Sequence, residues 1–392
     1  MNLSEVLAKN KASLLAKQGV VGLAVGSKKV GGIDTGTPAV VVFVRKKLPQ
    51  GILSLGDIVP KSLGDTATDV VEVGDVKALS QDVPPTPTAL TDAPTAKYRP
   101  IVGGISCARE RFLLSGTIGL PLLYKGDKPV LLSNNHVICL SYLNQKPVGG
   151  EPVRQPSVAD KYDAEADYVA KLLEWEEISP DKENVMDAAI AILTESAKPE
   201  LLGLGEYKNT TEVTIGMGVT KSGRSSGVNT GTVLYTDAVI QVDYNLPKYM
   251  TYTGQIALSP MLIPGDSGSA IVRQGDNAII ALGFAGSDLM SFATPIGVIL
   301  SRFGLTVRQP GVPVEQALAG IAGKYDRVWG YDSRSRKWLL YVPGVPQVSD
   351  LAVLQKGKGY WLMMKEQYPL TYGPSVWVLE AGWNLIGWQT DV

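Results

Sequence analysis

The 392-residue sequence holds one histidine, His136, and two cysteines, Cys107 and Cys139. A structural zinc site draws four ligands from Cys and His, and a disulfide framework needs several bridges. Neither is expected here, no metal or other cofactor is implied, and the two thiols are read as reduced. An excess of either charge is missing as well, with 37 Lys and Arg against 38 Asp and Glu. The longest basic run is Arg45-Lys46-Lys47, and helix-turn-helix and zinc-finger spacings are lacking, so nucleic acid is not an expected partner. No apolar run approaches the roughly 20 residues that cross a bilayer. Pro38 to Val44 and Ala278 to Ala285 read as core strands, and no membrane partner is expected. The opening MNLSEVLAKNKASLLAKQ spaces Leu and Ala at helical intervals among charges, without an uninterrupted apolar stretch. It predicts an amphipathic helix in place of a secretory signal, which favours the cytoplasm.

What is present points to several β-rich segments. An apolar content of 45% in a chain of this length supplies core for two or three domains. Residues 1–78 predict a small α/β module, in which the helix is followed by strand-like runs at Val20 to Val25, Ala39 to Arg45 and Asp69 to Val73. Residues 79–100 are rich in Pro, Thr, Ala and Asp and read as an extended linker. Short strands and turn signals then fill 101–308, the pattern of an all-β double barrel. A connector covers 309–322, and 323–392 form a β-module carrying six of the seven tryptophans, with Trp175 outside it. Seventy residues make a thin core, so these aromatics are expected to fill it in preference to forming an exposed platform.

The residues able to carry chemistry lie at the ends of strand-like runs. His136 closes Leu131-Leu132-Ser133-Asn134-Asn135-His136. Asp187 directly precedes the apolar run Ala188 to Leu193, although Asp160, Asp163, Asp167 and Asp181 are also candidates to approach the imidazole. Ser267 sits in Pro264-Gly265-Asp266-Ser267-Gly268-Ser269. A serine hydroxyl needs a neighbouring base to attack a carbonyl at neutral pH, and this chain offers a single imidazole for the task. The order His, Asp, Ser, the GDSGS string and the flanking strands resemble the chymotrypsin-like (trypsin-fold) serine peptidases.

That resemblance implies a mainly β, chymotrypsin-like double barrel between the N-terminal α/β module and the C-terminal aromatic-rich β-module. It implies a serine endopeptidase in which Ser267 is the nucleophile, His136 the base and Asp187 its orienting carboxylate. The backbone amides of Gly265 and Ser267 would form the oxyanion hole. The substrate pocket would have Met261 at its floor and Phe284, Ala285 and Gly286 along its wall, which disfavours Lys or Arg at the cleaved position. A protein or peptide substrate is the expected partner, and a homo-oligomer is left open. GVVGLAVGSKKVGGIDTGTPAVVVFVRKKLP with TDVVEVG resembles the N-terminal extension of bacterial trypsin-like peptidases related to the plant Narrow Leaf 1 proteins, and the run Lys221 to Val233 resembles a Gly-Arg-Thr-Thr-Gly segment of that group. Arg224 within it is expected to be solvated or salt-bridged. The Gly-Tyr-Trp and Gly-Trp-Asn-Leu-Ile-Gly-Trp strings resemble a module appended to many bacterial surface and secreted proteins. Ile101-Val102-Gly103-Gly104 is similar to the new N-terminus of cut trypsin-type zymogens, but Pro100 precedes it. A single chain is therefore expected, with Asp266 finding another partner than a freed amine. Two rival readings are a catalytically silent trypsin-fold scaffold and a glycan- or protein-binding protein acting through the C-terminal module.

Overall fold

The structure is a computed structural model that describes residues 2–79, 93–110, 115–126, 128–143, 146–160, 167–307, 311–332 and 336–389. Most of the expected linker, residues 80–92, lies outside the described residues, as does the start of the connector. The chain forms two compact units, residues 1–308 and 309–392. Both are mainly β.

The first unit contains two antiparallel sheet systems. In one, the strands Leu120–Tyr124, Lys128–Ser133, Ala189–Leu193, Tyr168–Trp175, Pro152–Arg154 and Ser106–Arg109 follow one another in an eight-stranded sheet, with Leu305–Val307 returning to its edge. Within Lys128–Ser133 the residues Val130, Leu131 and Leu132 form an uninterrupted apolar run because both faces of the strand are buried there. Leu131 enters a core with Val137, Val153 and Ala191, whereas Val130 and Leu132 pack against Ala270, Val272 and Leu282 of the second system. That second system is built on Gly218–Gly223, Gly227–Val242, Met250–Leu258, Ala270–Arg273, Ile279–Gly286 and Ser291–Pro295.

The N-terminal segment extends this second sheet. Its helix Leu3–Leu15 starts at Asn2, whose side chain accepts from the Glu5 amide while Glu5 reaches back, and it buries Val6, Leu7 and Leu14. Strand Val20–Val30 then pairs with Gly227–Val242, placing Leu23 opposite Val239. Ile33–Val44 follows as its hairpin partner and takes Thr66–Glu72 in parallel. With these three strands and the short Ser62–Leu63, Lys77–Ala78 and Glu183–Asn184, the sheet has twelve strands. The chain finally returns through Lys77–Ala78, which pairs antiparallel with Ile279–Gly286, setting Ala78 opposite Ala285 and Lys77 opposite Gly286.

In the second unit, Lys337–Tyr341, Tyr325–Asp332, Gly359–Met364 and Gly382–Gly387 form a four-stranded sheet in that order. Here the expectation for the tryptophans needs correction. Trp388 is fully buried and Trp377 stacks on it at 5.2 Å, but Trp329, Trp338, Trp361 and Trp383 line an open cleft of about 560 Å³. Alternation along the strands is the cause. Tyr360, Leu362 and Met364 point into the core, so Trp361 between them points out.

Candidate active site

The site is assembled by strand register. Lys128–Ser133 and Ala189–Leu193 pair with Ser133 opposite Ala189, so the residues just after the first strand meet those just before the second. His136, in the one-turn helix Asn135–Ile138, therefore reaches Asp187. Asp187 Oδ1 accepts the His136 backbone amide at 3.1 Å, and Oδ2 pairs with the ring Nδ1. Asn134 donates to the Asp187 carbonyl at 2.6 Å, and the Asn135 side chain ties the turn to Ser141 and Glu176 at 2.7 Å each. The competing carboxylates are engaged elsewhere: Asp160 with Arg224, Asp167 with Lys97 and Asp181 with Lys248. Asp163 lies outside the described residues.

Behind the pair stands an aromatic relay that no motif in the sequence marks. The Tyr244 hydroxyl donates to Asp187 Oδ2 at 2.5 Å and shares a 2.7 Å hydrogen bond with Tyr252, whose ring lies 4.8 Å from that of Phe284. Burial, with the Asp187 carboxylate beside it, pushes the Tyr244 hydroxyl well above the usual phenol range, so it remains a donor. His136 and Asp187 are both fully buried. Because the carboxylate accepts at Nδ1, that nitrogen carries a proton, and in the neutral ring Nε2 then keeps its lone pair. Among the described residues Nε2 has no hydrogen-bond partner.

Ser267 belongs to the second sheet system, in the turn before Ala270–Arg273. Gly116–Thr117 joins it to the first. A Cβ on Gly116 would fall 2.5 Å from Val137 and 2.9 Å from the Ser267 carbonyl oxygen, and the Thr117 amide donates to that oxygen at 2.8 Å. Gly268, at φ +92°, fits because a Cβ there would lie 2.2 Å from the Thr117 carbonyl oxygen. The Ser267 hydroxyl donates to the Phe284 carbonyl at 3.2 Å. Gly265 is also left-handed, at φ +93°, and its amide donates at 2.7 Å to the carbonyl of Leu79.

Asp266 is neutralised from within the chain. Lys221 Nζ lies 2.8 Å from its Oδ2, both side chains being fully buried. The Ser225 and Ser226 amides donate to Oδ1 and the Ser226 hydroxyl to Oδ2. Burial draws the Lys221 ammonium down from its ordinary range, against the carboxylate that favours its charge. Arg224, next along the same hairpin, forks onto Asp160 and donates its backbone amide to Thr117 Oγ1 at 3.0 Å. The Lys221 to Val233 run thus braces the Ser267 turn. Ile101 remains in a strand, Ile101–Gly103, paired with Ala197–Leu201.

Met261 is buried, with its amide held by Ser291 Oγ at 3.0 Å, and it lines one groove with Lys77, Ala78, Leu79 and Gly286. Gly286 lines the groove, and Ala285 lies behind it, paired with Ala78 and fully buried. Phe284 does not line the groove: its carbonyl accepts the Leu79 amide, and its ring turns back toward Tyr252. Among the described residues no cluster of His, Cys, Asp and Glu could hold a metal ion.

No family model matches the chain, and no curated protein does either. Solved structures are similar to 53% of it. Protease A of Thermobifida fusca is 18% identical over 97% of its own length, with a TM-score of 0.38. The Nocardiopsis protease is 16% identical over 99% of its length at 0.39, and the Cellulomonas bogoriensis chymotrypsin 17% identical over 98% at 0.38. The first two are named as proteases and the third as a chymotrypsin.

Proposed function

We propose that this chain is a serine endopeptidase of the kind its sequence resembles in the Narrow Leaf 1-related bacterial peptidases. Ser267 attacks the carbonyl of a bound peptide, His136 Nε2 takes its proton and later returns it to the leaving amine, and Asp187 holds the imidazole in the required tautomer. The Gly265 and Ser267 amides stabilise the oxyanion, a contribution of about 3–4 kcal/mol for one such donor. The observation that carries the reading is the buried imidazole clamped at Nδ1 by Asp187, with Nε2 unpartnered, while Gly116 lies between Val137, the residue after His136, and the Ser267 carbonyl. An unsatisfied buried acceptor costs about 1–3 kcal/mol, which makes sense where a hydroxyl proton is to be received. With Met261 in the groove and no acid at that position, cleavage after apolar or small side chains is expected.

The test is reaction with a fluorophosphonate. Ser267 should carry the adduct, and Ser267→Ala should lose both the adduct and peptide hydrolysis while keeping its fold. A wild-type chain that neither labels nor hydrolyses peptides with apolar residues would favour the silent scaffold. A second reading adds binding through the C-terminal unit, and the outward cleft of four tryptophans favours it. Removing residues 309–392 and measuring binding and hydrolysis separately distinguishes the two roles.

A further inference from the structure

The groove beside Ser267 holds a piece of the chain itself. Residues 77–79 line it, with Lys77–Ala78 an antiparallel strand against Ile279–Gly286 that sets Lys77 opposite Gly286 and Ala78 opposite Ala285. Leu79 sits at the end of this strand, beside the nucleophile. Its amide donates to the Phe284 carbonyl at 3.2 Å, the same oxygen that receives the Ser267 hydroxyl. Its carbonyl accepts the Gly265 amide at 2.7 Å. Its side chain is buried in one apolar cluster with Met261, Leu262, Val233 and Ile256, and a Cβ on Gly286 would lie 3.5 Å from its Cδ1. A backbone paired to a sheet edge, an apolar side chain in a pocket and a carbonyl on a positive-φ amide are together how an extended substrate is held.

We propose that this chain is its own substrate and is cut between Leu79 and Ser80, an inference that rests on the peptidase reading above. The Ser267 oxygen bonds to the Leu79 carbonyl carbon as its proton passes to His136. The bond to the Ser80 nitrogen then breaks, and that nitrogen takes the proton. Water hydrolyses the resulting ester, leaving a Leu79 carboxylate and restoring the Ser267 hydroxyl. Fragment 1–79 stays in place after the cut, because Val20–Val30 remains paired with Gly227–Val242 and Leu3–Leu15 remains packed beneath it. The specificity follows from the same contacts: a leucine or similarly sized apolar side chain before the cut, with the residue two before it paired to Gly286.

Mass measurement of the full chain under denaturing conditions, after incubation, tests this. Expected are two fragments, one ending at Leu79 and one beginning at Ser80, a single uncut chain for Ser267→Ala, and one undivided particle in a native sizing column. Leu79→Met should still be cut, and Leu79→Asp should not. The second test adds the peptide Val-Lys-Ala-Leu-Ser-Gln-Asp-Val in trans. A tethered strand competes at about millimolar effective concentration, so Leu79→Asp should hydrolyse tens-of-micromolar peptide about tenfold or more faster than the Ser80-bearing wild type before its cut. A wild-type chain that stays whole, or is cut elsewhere, overturns self-cleavage. If that chain still hydrolyses the peptide, the peptidase reading survives; if neither it nor Leu79→Asp hydrolyses or labels, both readings fall.

Discussion

At the scale of single residues, the lone imidazole gives an unusually direct experiment. All histidine resonances in an NMR titration belong to His136, and only the neutral ring can act as base. On the peptidase reading, the acid limb of kcat/KM and the NMR midpoint coincide. A separation well over about one pH unit, with chemistry limiting the rate, would remove His136 from the role of base. Asp187→Asn should lower kcat by about 10⁴, because the imidazole then takes the wrong tautomer, and an unaltered rate would point to another carboxylate. The cysteines belong to a different class. Cys107 is fully buried, which pushes its thiol up to about 12, and Cys139 is raised for the same reason. Legibility divides along similar lines. His136 and Asp187 could be read because a polar residue closing an apolar run is conspicuous, and their meeting follows from strand pairing. Tyr244 could not, since a tyrosine in a turn-rich stretch carries no mark of the carboxylate 57 positions away that it contacts.

At the scale of elements, the hairpin Gly218–Gly223 with Gly227–Val242 does more than complete a sheet. It delivers Lys221 to Asp266 and Arg224 to Asp160, both buried ion pairs. Truncating one member of such a pair leaves an uncompensated buried charge, so Lys221→Met should cost about 3–5 kcal/mol of stability, read as a lowered denaturant midpoint. If Lys221→Met unfolded at the wild-type midpoint, the pair would carry no net weight in holding the Ser267 turn. The glycine-rich string marked this hairpin as a turn, but the string could not tell which of its polar residues turn inward. In the C-terminal sheet the alternation was visible and its phase was not. Nothing in Gly-Tyr-Trp says whether Tyr360 or Trp361 faces the core until Leu362 and Met364 are seen packed with Tyr360.

At the scale of the whole molecule, two compact units with separate cores predict separable folding. Residues 1–308 expressed alone should keep the melting temperature of their own transition and the fluorophosphonate reaction; loss of both would show that residues 309–392 are needed for the first unit to fold. Deletion at the other end should behave differently. Val20, Leu23, Val40 and Val42 share one buried cluster with Val239 of Gly227–Val242, and removing them would bare a long sheet edge of the sort that aggregates. The composition that set residues 79–100 apart as a linker gave no sign that its first residue belongs to the groove, since one leucine before a polar stretch has no pattern to read. The Lys221 pair has a further consequence for timing. In a protein whose aspartate waits for a freed terminal amine, readiness begins when another enzyme arrives. Here the cation is part of the hairpin that folding itself closes, so on the peptidase reading the clock starts at the ribosome, and no external cut is needed to set it going.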